Sequence, residues 1–301
     1  MDMIFVLKRS KMNIYEIHTK FKSERECHDY LIQIRWPDGV SCPHCKDKEV
    51  YRRTWEVGFK CRGCNSSFTV TAGTMFHSTK LPLSKWYMAI SVILSAKKGI
   101  SSLQLSRTIN VNKNTAWYMQ KRIRESMKSD ILLEGIIEAD ETYIGGALRN
   151  MKPADVNRRN PSKSGMVHKI PVLGMYERNT GKVRLDTIEH ACGDVIKPIM
   201  KAKISKESEI VTDGFGGYFG LDKHFVKQTK MNHEKKIRKV EGYTLSHIEG
   251  FFSTIKRAII GQYHSLSQTH LQSYLDEIAF KKNIPFNDSF ELTLIKACAR
   301  I

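Results

Sequence analysis

The chain has 301 residues, 41% of them hydrophobic, and carries 49 Lys and Arg against 31 Asp and Glu, a net charge of +18. That length allows two or three compact units, and that hydrophobic content excludes a wholly disordered chain. The basic excess runs along the whole sequence, so a polyanion such as nucleic acid is the expected partner: each cation placed on a phosphate releases condensed counterions. No stretch reaches the roughly 20 apolar residues that span a bilayer. The apolar run after Met1 is too short for a signal peptide and has no small-residue cleavage site behind it. A reducing cytoplasm is the expected compartment. Seven cysteines, four of them in two Cys-x-x-Cys pairs, then point to metal binding and away from a disulfide framework.

In chain order, residues 13–34 have helical periodicity, with Ser23 and Glu26 able to form a capping box. Trp36-Pro37-Asp38-Gly39 stops that helix and turns the chain. Short strands are expected over 40–77, around the cysteine pairs. Cys42 and Cys45 form one knuckle, Cys61 and Cys64 the other, fifteen residues further on. Two such knuckles aim four thiolates at one ion, so one closed, structural zinc per chain is expected. His44 is read as facing solvent, and Cys27, Cys192 and Cys298 as core cysteines.

A helix carrying Trp86, Ile90, Ile93 and Leu94 follows, then two more near 101–108 and 112–128, broken at Ile109-Asn110-Val111. The last two look like a helix-turn-helix. Leu103, Leu105, Ile109, Val111, Ala116, Trp117 and Ile123 are assigned to its interior. Lys113, Asn114, Tyr118, Lys121, Arg122 and Arg124 are assigned to DNA groove and phosphate contact.

From about residue 136 the pattern changes to strands, at 136–144, 168–177, 182–189 and 208–212, and then to helices near 244–260 and 267–283. The basic insertion 147–165 is expected to be a mobile loop. In a period-2 strand Glu138 and Asp140 share one face and Glu141 takes the other. Asp213 ends a second strand, before a glycine-rich turn. Glu249 and Lys256, seven apart, share a helical face. Phosphodiester chemistry with two divalent ions needs carboxylates arranged in about this way, with a lysine to position DNA. A neutral His247 is the competing ligand for the second ion.

At these residues the chain resembles insertion-sequence transposases with an N-terminal zinc ribbon and a DDE catalytic domain. The likeness runs through the two knuckles and Ala139-Asp140-Glu141-Thr142-Tyr143-Ile144-Gly145-Gly146. It continues through Thr212-Asp213-Gly214, Ile248-Glu249-Gly250-Phe251-Phe252, Lys256-Arg257 and Gly261-Gln262-Tyr263-His264. Ser246 stands where the family often has Asn, and the family varies at its third catalytic residue. The first eleven residues match nothing in it; of Met1, Met3 and Met12, Met12 looks like the usual start.

The resemblance implies a ribonuclease H-like mixed sheet flanked by helices, with catalytic roles for Asp140, Asp213 and the helix bearing Glu249. With it go four segments: an extension and helix over 1–36, a zinc ribbon over 37–78, a helix-turn-helix region over 79–130 and the catalytic domain over 131–301. Asp140, Asp213 and Glu249 are expected to hold two Mg2+ or Mn2+ ions. Lys256, Arg257 and His264 are expected to contact DNA backbone, with 147–165 and 227–239 as phosphate tracks. The expected activity is binding of terminal inverted repeats, 3′-end cleavage and strand transfer into target DNA, by a homo-oligomer on the nucleoid of a prokaryote. A catalytically silent DNA-binding regulator and a structure-specific nuclease are the rivals; three intact acids speak against the first, and ribbon plus helix-turn-helix against the second.

Overall fold

The computed structural model describes residues 12–53, 58–145, 169–231, 240, 242–264 and 266–299. The expectations placed on 147–165 and 232–239 lie outside the described residues. The chain divides into two units, Met1–Met127 with Ile284–Ile301, and Lys128–Asn283.

The first unit opens with α1 (Ile14–Lys20) and α2 (Glu24–Arg35) where the periodicity predicted one helix. The break is written in the caps. Asn13 with Glu16 and Ser23 with Glu26 both form capping boxes, and such a box satisfies N–H groups that only a helix start leaves open. After α2, Gly39 takes φ +100° and its N–H donates to the Trp36 carbonyl at 3.2 Å, which makes the predicted turn. Strands β1 (Val50–Arg52), β2 (Gly58–Cys61) and β3 (Ser67–Thr69) then form an antiparallel ribbon over a small core of Trp36, Phe59 and Phe68.

Helices α3 (Leu83–Ser95), α4 (Ser102–Ile109) and α5 (Lys113–Ser126) follow. A three-residue turn, with Asn110 left-handed at φ 51°, joins α4 to α5, and the Asn112 side chain caps α5 by accepting from the Asn114 N–H at 2.8 Å. The chain returns to this unit at its far end. Helix α9 (Phe286–Cys298), absent from the sequence expectations, buries Phe290, Leu294 and Ala297. Phe290 meets Tyr87 edge-on at 5.7 Å, Tyr87 meets Phe21 at 5.0 Å, and the Tyr30 hydroxyl donates to Glu291 at 2.6 Å. The segment expected to end the 131–301 domain therefore completes the core of the first unit.

The second unit is built on a five-stranded sheet in the order β6-β5-β4-β7-β8. These are β4 (Ile136–Ile144), β5 (Ile170–Glu177), β6 (Val183–Thr187), β7 (Glu209–Thr212) and β8 (Lys227–Lys230). The β4–β5 and β5–β6 pairs are antiparallel, and β4–β7 and β7–β8 are parallel, so the sheet is mixed. Part of the basic run expected to track phosphate is thus strand β8, with Thr229 buried and Lys227 and Lys230 exposed.

Helices cover both faces. Ile137, Ala139, Leu173, Met175 and Ile210 lie under α6 (Gly193–Lys203), beside Tyr218 and Leu221. Val172, Leu185 and Val211 lie under α7 (Ser246–Ala258) and α8 (Gln268–Asn283). The α8 side chains also close the outer edge of β6. Gln272 bonds the Thr187 N–H and Leu185 carbonyl, and Asn283 bonds both backbone groups of Val183, so the edge offers no free ladder there. This is a ribonuclease H-like arrangement. No helix among the described residues is long and apolar enough to cross a membrane.

One glycine sets how closely α7 sits. A Cβ on Gly174 would stand 2.5 Å from the Phe252 ring and 2.7 Å from Ile248. Gly174→Ala should therefore overpack this contact and cost about 1–3 kcal/mol, read as a lower Tm in thermal unfolding; an unchanged Tm would contradict it.

Candidate functional site

The four cysteines come together. Among the described residues, Cys42, Cys45, Cys61 and Cys64 are the one group of three or more His, Cys, Asp or Glu side chains whose ligand atoms all lie within 4.8 Å of one another. The Cys42–Cys64 and Cys45–Cys61 Sγ separations are 3.6 and 3.5 Å, close to the roughly 3.8 Å edge of a tetrahedron with Zn–S bonds of about 2.3 Å. Behind each knuckle one residue turns left-handed, Lys46 (φ 65°) and Asn65 (φ 58°), which bends the backbone round the site. The donor set and spacing fit a closed zinc site, and His44 is exposed outside it. Of the remaining cysteines only Cys27 is fully buried, its thiol pushed up to about 12 by burial; Cys192 and Cys298 are partly exposed, short of the core positions expected for them.

Asp140 stands midway along β4, beside Asp213 just past the end of the parallel strand β7. Glu138 pairs with Val211 in the β4–β7 register, and two steps further along both strands stand Asp140 and Asp213. Asp140 also lies opposite Gly174, the residue against which α7 is seated. Asp213 accepts the Phe215 N–H at 3.0 Å, which folds the turn after β7 back on the strand end. On α7, Ile248, Phe251, Phe252 and Ile255 are buried, leaving Glu249, Lys256 and Arg257 exposed. Asp140, Asp213 and Glu249 are not gathered as tightly as the cysteines. His264 follows a π-helical turn (Ile259–Tyr263), is exposed and has φ 58°.

Glu138 has a role that its position alone did not reveal. It is 0% exposed, and its carboxylate accepts the N–H groups of His247 and Ile248, both at 3.1 Å. The same carboxylate bonds His247 Nδ1 at 2.7 Å and pairs with Arg178 Nε at 3.1 Å. Leu245, at the N-cap of α7, offers no side-chain cap, so a strand residue supplies it. His247, its Nδ1 held by Glu138 and its ring stacked on Tyr176 at 5.3 Å, is engaged as a structural partner instead of offering that nitrogen to an ion. The signal available in sequence was a strand acid that needed a partner.

Glu141, on the opposite face, completes a crowd of acids. Burial first, then the charges of Asp140 and Asp213, push its carboxyl up to about 7, against a counter-effect from Tyr218. The Tyr218 hydroxyl stands near enough to influence it, yet that hydroxyl and Glu141 Oε1 are both buried without a well-formed hydrogen bond. Excess negative charge where β7 ends beside the middle of β4 is what a divalent cation would relieve, so the residues fit such an ion.

The residues assigned to DNA contact divide on α5. Lys113, Asn114 and Lys121 are exposed. Arg122 donates to the carbonyls of Met75 (2.7 Å) and His77 (3.1 Å), and its guanidinium lies 4.9 Å from the Tyr118 ring, so it braces the loop before α3. Arg124 is 2% exposed and is not presented to a groove. It falls on the buried stripe Ala116, Gln120, Ile123, four residues past Gln120, where spacing outweighs charge type. Trp117 and Leu103, expected inside, are exposed because each lies off its helix's stripe.

Comparison with known proteins bears on both units. The chain matches a family model described as an ISXO2-like transposase domain over residues 132–283, and one described as a transposase zinc-ribbon domain over residues 22–67. It is also similar to an uncharacterized protein in the transposable element ISH50 of Halobacterium salinarum, at 29% identity over 212 residues, covering 67% of this chain and 71% of the relative.

Two outcomes follow from the geometry. Metal analysis of freshly reduced protein should find one zinc per chain, and Cys42→Ser or Cys61→Ser should lose it and melt the ribbon; protein free of zinc would refute the site. For Glu141, the folded value near 7 lies above the free-carboxyl value of 4.5, so folding favours the protonated form. The carboxyl opposes folding least below about pH 4.5; its cost grows as pH rises from there to about 7 and stays constant above. Glu141→Gln should then stabilise metal-free protein at pH 8 by on the order of 2 kcal/mol, a gain that fades by pH 4.5. Unfolding curves with equal shifts at both pH values would contradict this.

Proposed function

This chain belongs to the ISXO2-like transposases, with an N-terminal transposase zinc ribbon, and from that premise we propose that it binds the terminal inverted repeats of an insertion sequence, cleaves their 3′ ends and joins them to target DNA. The observation that carries the reading is the placement of Asp140, midway along β4, beside Asp213, just past the adjacent parallel strand β7, with the helix of Glu249 seated on Gly174 next to them.

In this reading Asp140, Asp213 and Glu249 hold two Mg2+ or Mn2+ ions. Such ions, when bound, supply charge neutralisation at the phosphate and activation of the attacking oxygen. The protein's own part is positional. Strand pairing fixes the two aspartates, and the Glu138 clamp fixes the start of α7, one turn before Glu249. Lys256 and Arg257, exposed further along that helix, offer cations to the DNA backbone, and His264 lies just beyond. One site would serve both steps, water attacking first and the freed 3′-OH second.

The α4–α5 pair serves as the helix-turn-helix, with Lys113, Asn114 and Lys121 toward DNA and Arg122 and Arg124 as internal braces. The net charge of +18 suits a duplex partner. The working form is a homo-oligomer on DNA, in the cytoplasm and on the nucleoid of a prokaryote.

The test is cleavage of a terminal-repeat duplex by the full-length protein with magnesium or manganese. Asp140→Asn and Glu249→Gln should abolish 3′-end nicking, by at least the roughly 10–100-fold that even outer partners of a metal cost, and leave DNA binding intact. His247→Ala should keep measurable nicking. The opposite pattern, with His247→Ala inactive and Glu249→Gln active, would move the third ligand to His247.

A further inference from the structure

The turn that follows Asp213 exposes two aromatic rings. Phe215 is 39% and Phe219 is 54% exposed, while Tyr218 and Leu221 between and beyond them are fully buried and anchor the segment. A short 3-10 turn, Gly216–Tyr218, sets the alternation. Gly217 makes room for the first ring: a Cβ there would stand 2.5 Å from Phe215 Cε1. Phe215 is further fixed edge-on to Tyr218 at 6.1 Å, and its own N–H is held by Asp213 at 3.0 Å. The second ring carries a cation. Lys230 Nζ lies 4.8 Å from the Phe219 centroid, and Lys230 is paired opposite Thr212, the residue before Asp213.

A single exposed phenylalanine needs no explanation. Here two rings within five residues are positioned by a glycine and a buried tyrosine, with a lysine held over one of them, next to an acid of the site. An aromatic face beside an ammonium matches a nucleotide: the ring takes the base by stacking, and the cation takes a phosphate. A base inside an intact duplex has both faces covered by its neighbours, so only an unpaired one can use such a surface. We propose that Phe215 and Phe219, with Lys230, form a stacking platform for an unpaired nucleobase of the DNA strand brought to Asp213. This rests on the reading of Asp213 as part of a DNA-cleaving site. A platform there would hold the strand end once it has left the helix, and would favour DNA whose ends are already frayed.

The experiment uses full-length, zinc-loaded protein without added magnesium or manganese, and two duplexes of one sequence. One is flush; the other carries a short single-stranded 3′ tail containing 2-aminopurine. The unsubstituted protein should bind the tailed duplex more tightly and quench its 2-aminopurine. Phe215→Ala and Phe219→Ala should each weaken binding to the tailed duplex about tenfold and relieve the quench, with the flush duplex bound as before. Phe219→Trp should restore both. Equal losses on the two duplexes, or an unchanged quench, would overturn the platform. Variants that change sedimentation while leaving the quench intact would also overturn it, and assign the rings to contact between copies of the chain. Magnesium-dependent nicking by the unsubstituted protein, run alongside, separates the two readings. Nicking with no effect of the phenylalanines removes the platform alone, and a selective quench without nicking removes the cleavage role of Asp213 alone.

Discussion

A carboxylate shut away from water, that of Glu138, closes the N-terminus of α7 from the middle strand of the sheet. It accepts the two backbone N–H groups that a capping side chain would normally take, and meets Arg178 and His247 besides. A buried ion pair of this kind is weak evidence of net stability, but removing one partner typically costs about 3–5 kcal/mol because the other charge is stranded. Its consequence is geometric. If the helix that bears Glu249 slid or rotated on the sheet, Glu138 would lose its two backbone N–H partners and His247 and keep Arg178 alone, and Gly174 lets the helix settle against the strand opposite Asp140. Strand register and this one clamp together relate the third acid to the first two.

The acids themselves pull the other way. Asp140, Asp213 and Glu141 are held near one another by pairing that the apolar core enforces, and burial first, with the neighbouring charges after it, raises the Glu141 carboxyl. The free energy that holds them there comes from the packed faces of Ile137, Leu173, Met175 and Ile210 on one side and Val172, Val211, Ile248 and Phe252 on the other. The chain as a whole carries +18, yet around Asp140, Glu141 and Asp213 the local sign is reversed, and a cation there would offset it.

How much of this was legible depended on whether the signal was local. The two knuckles carry their whole meaning in spacing, and the thiolates meet as the spacing requires. Period-2 alternation placed Glu138 with Asp140 and set Glu141 apart, as the sheet has it. The capping box at Ser23 was visible, yet the periodicity on either side of it hid the break between α1 and α2. Arg124 was misplaced by its charge, because its burial follows from a stripe that only helix phase reveals. The cap that Glu138 gives to α7 spans more than a hundred residues and leaves no local trace beyond the cost of burying an acid. Strand β8 was hidden by its lysines, since an edge strand needs only one inward residue, Thr229, to hold its place.

Helix α9 imposes an order on the making of the molecule. Phe290, Leu294 and Ala297 belong to the core that holds Tyr87, yet they lie beyond the entire second unit in the chain. A ribosome releases the ribbon and the α4–α5 pair long before it releases the residues that finish packing them. Until then Tyr87 and its aromatic neighbours lack a wall, and the nascent chain has an apolar surface to protect while the sheet folds behind it. Chain termination anywhere short of α9 therefore yields more than a loss of the last helix: it leaves the N-terminal unit unfinished, with the Tyr87 aromatic cluster open on one side.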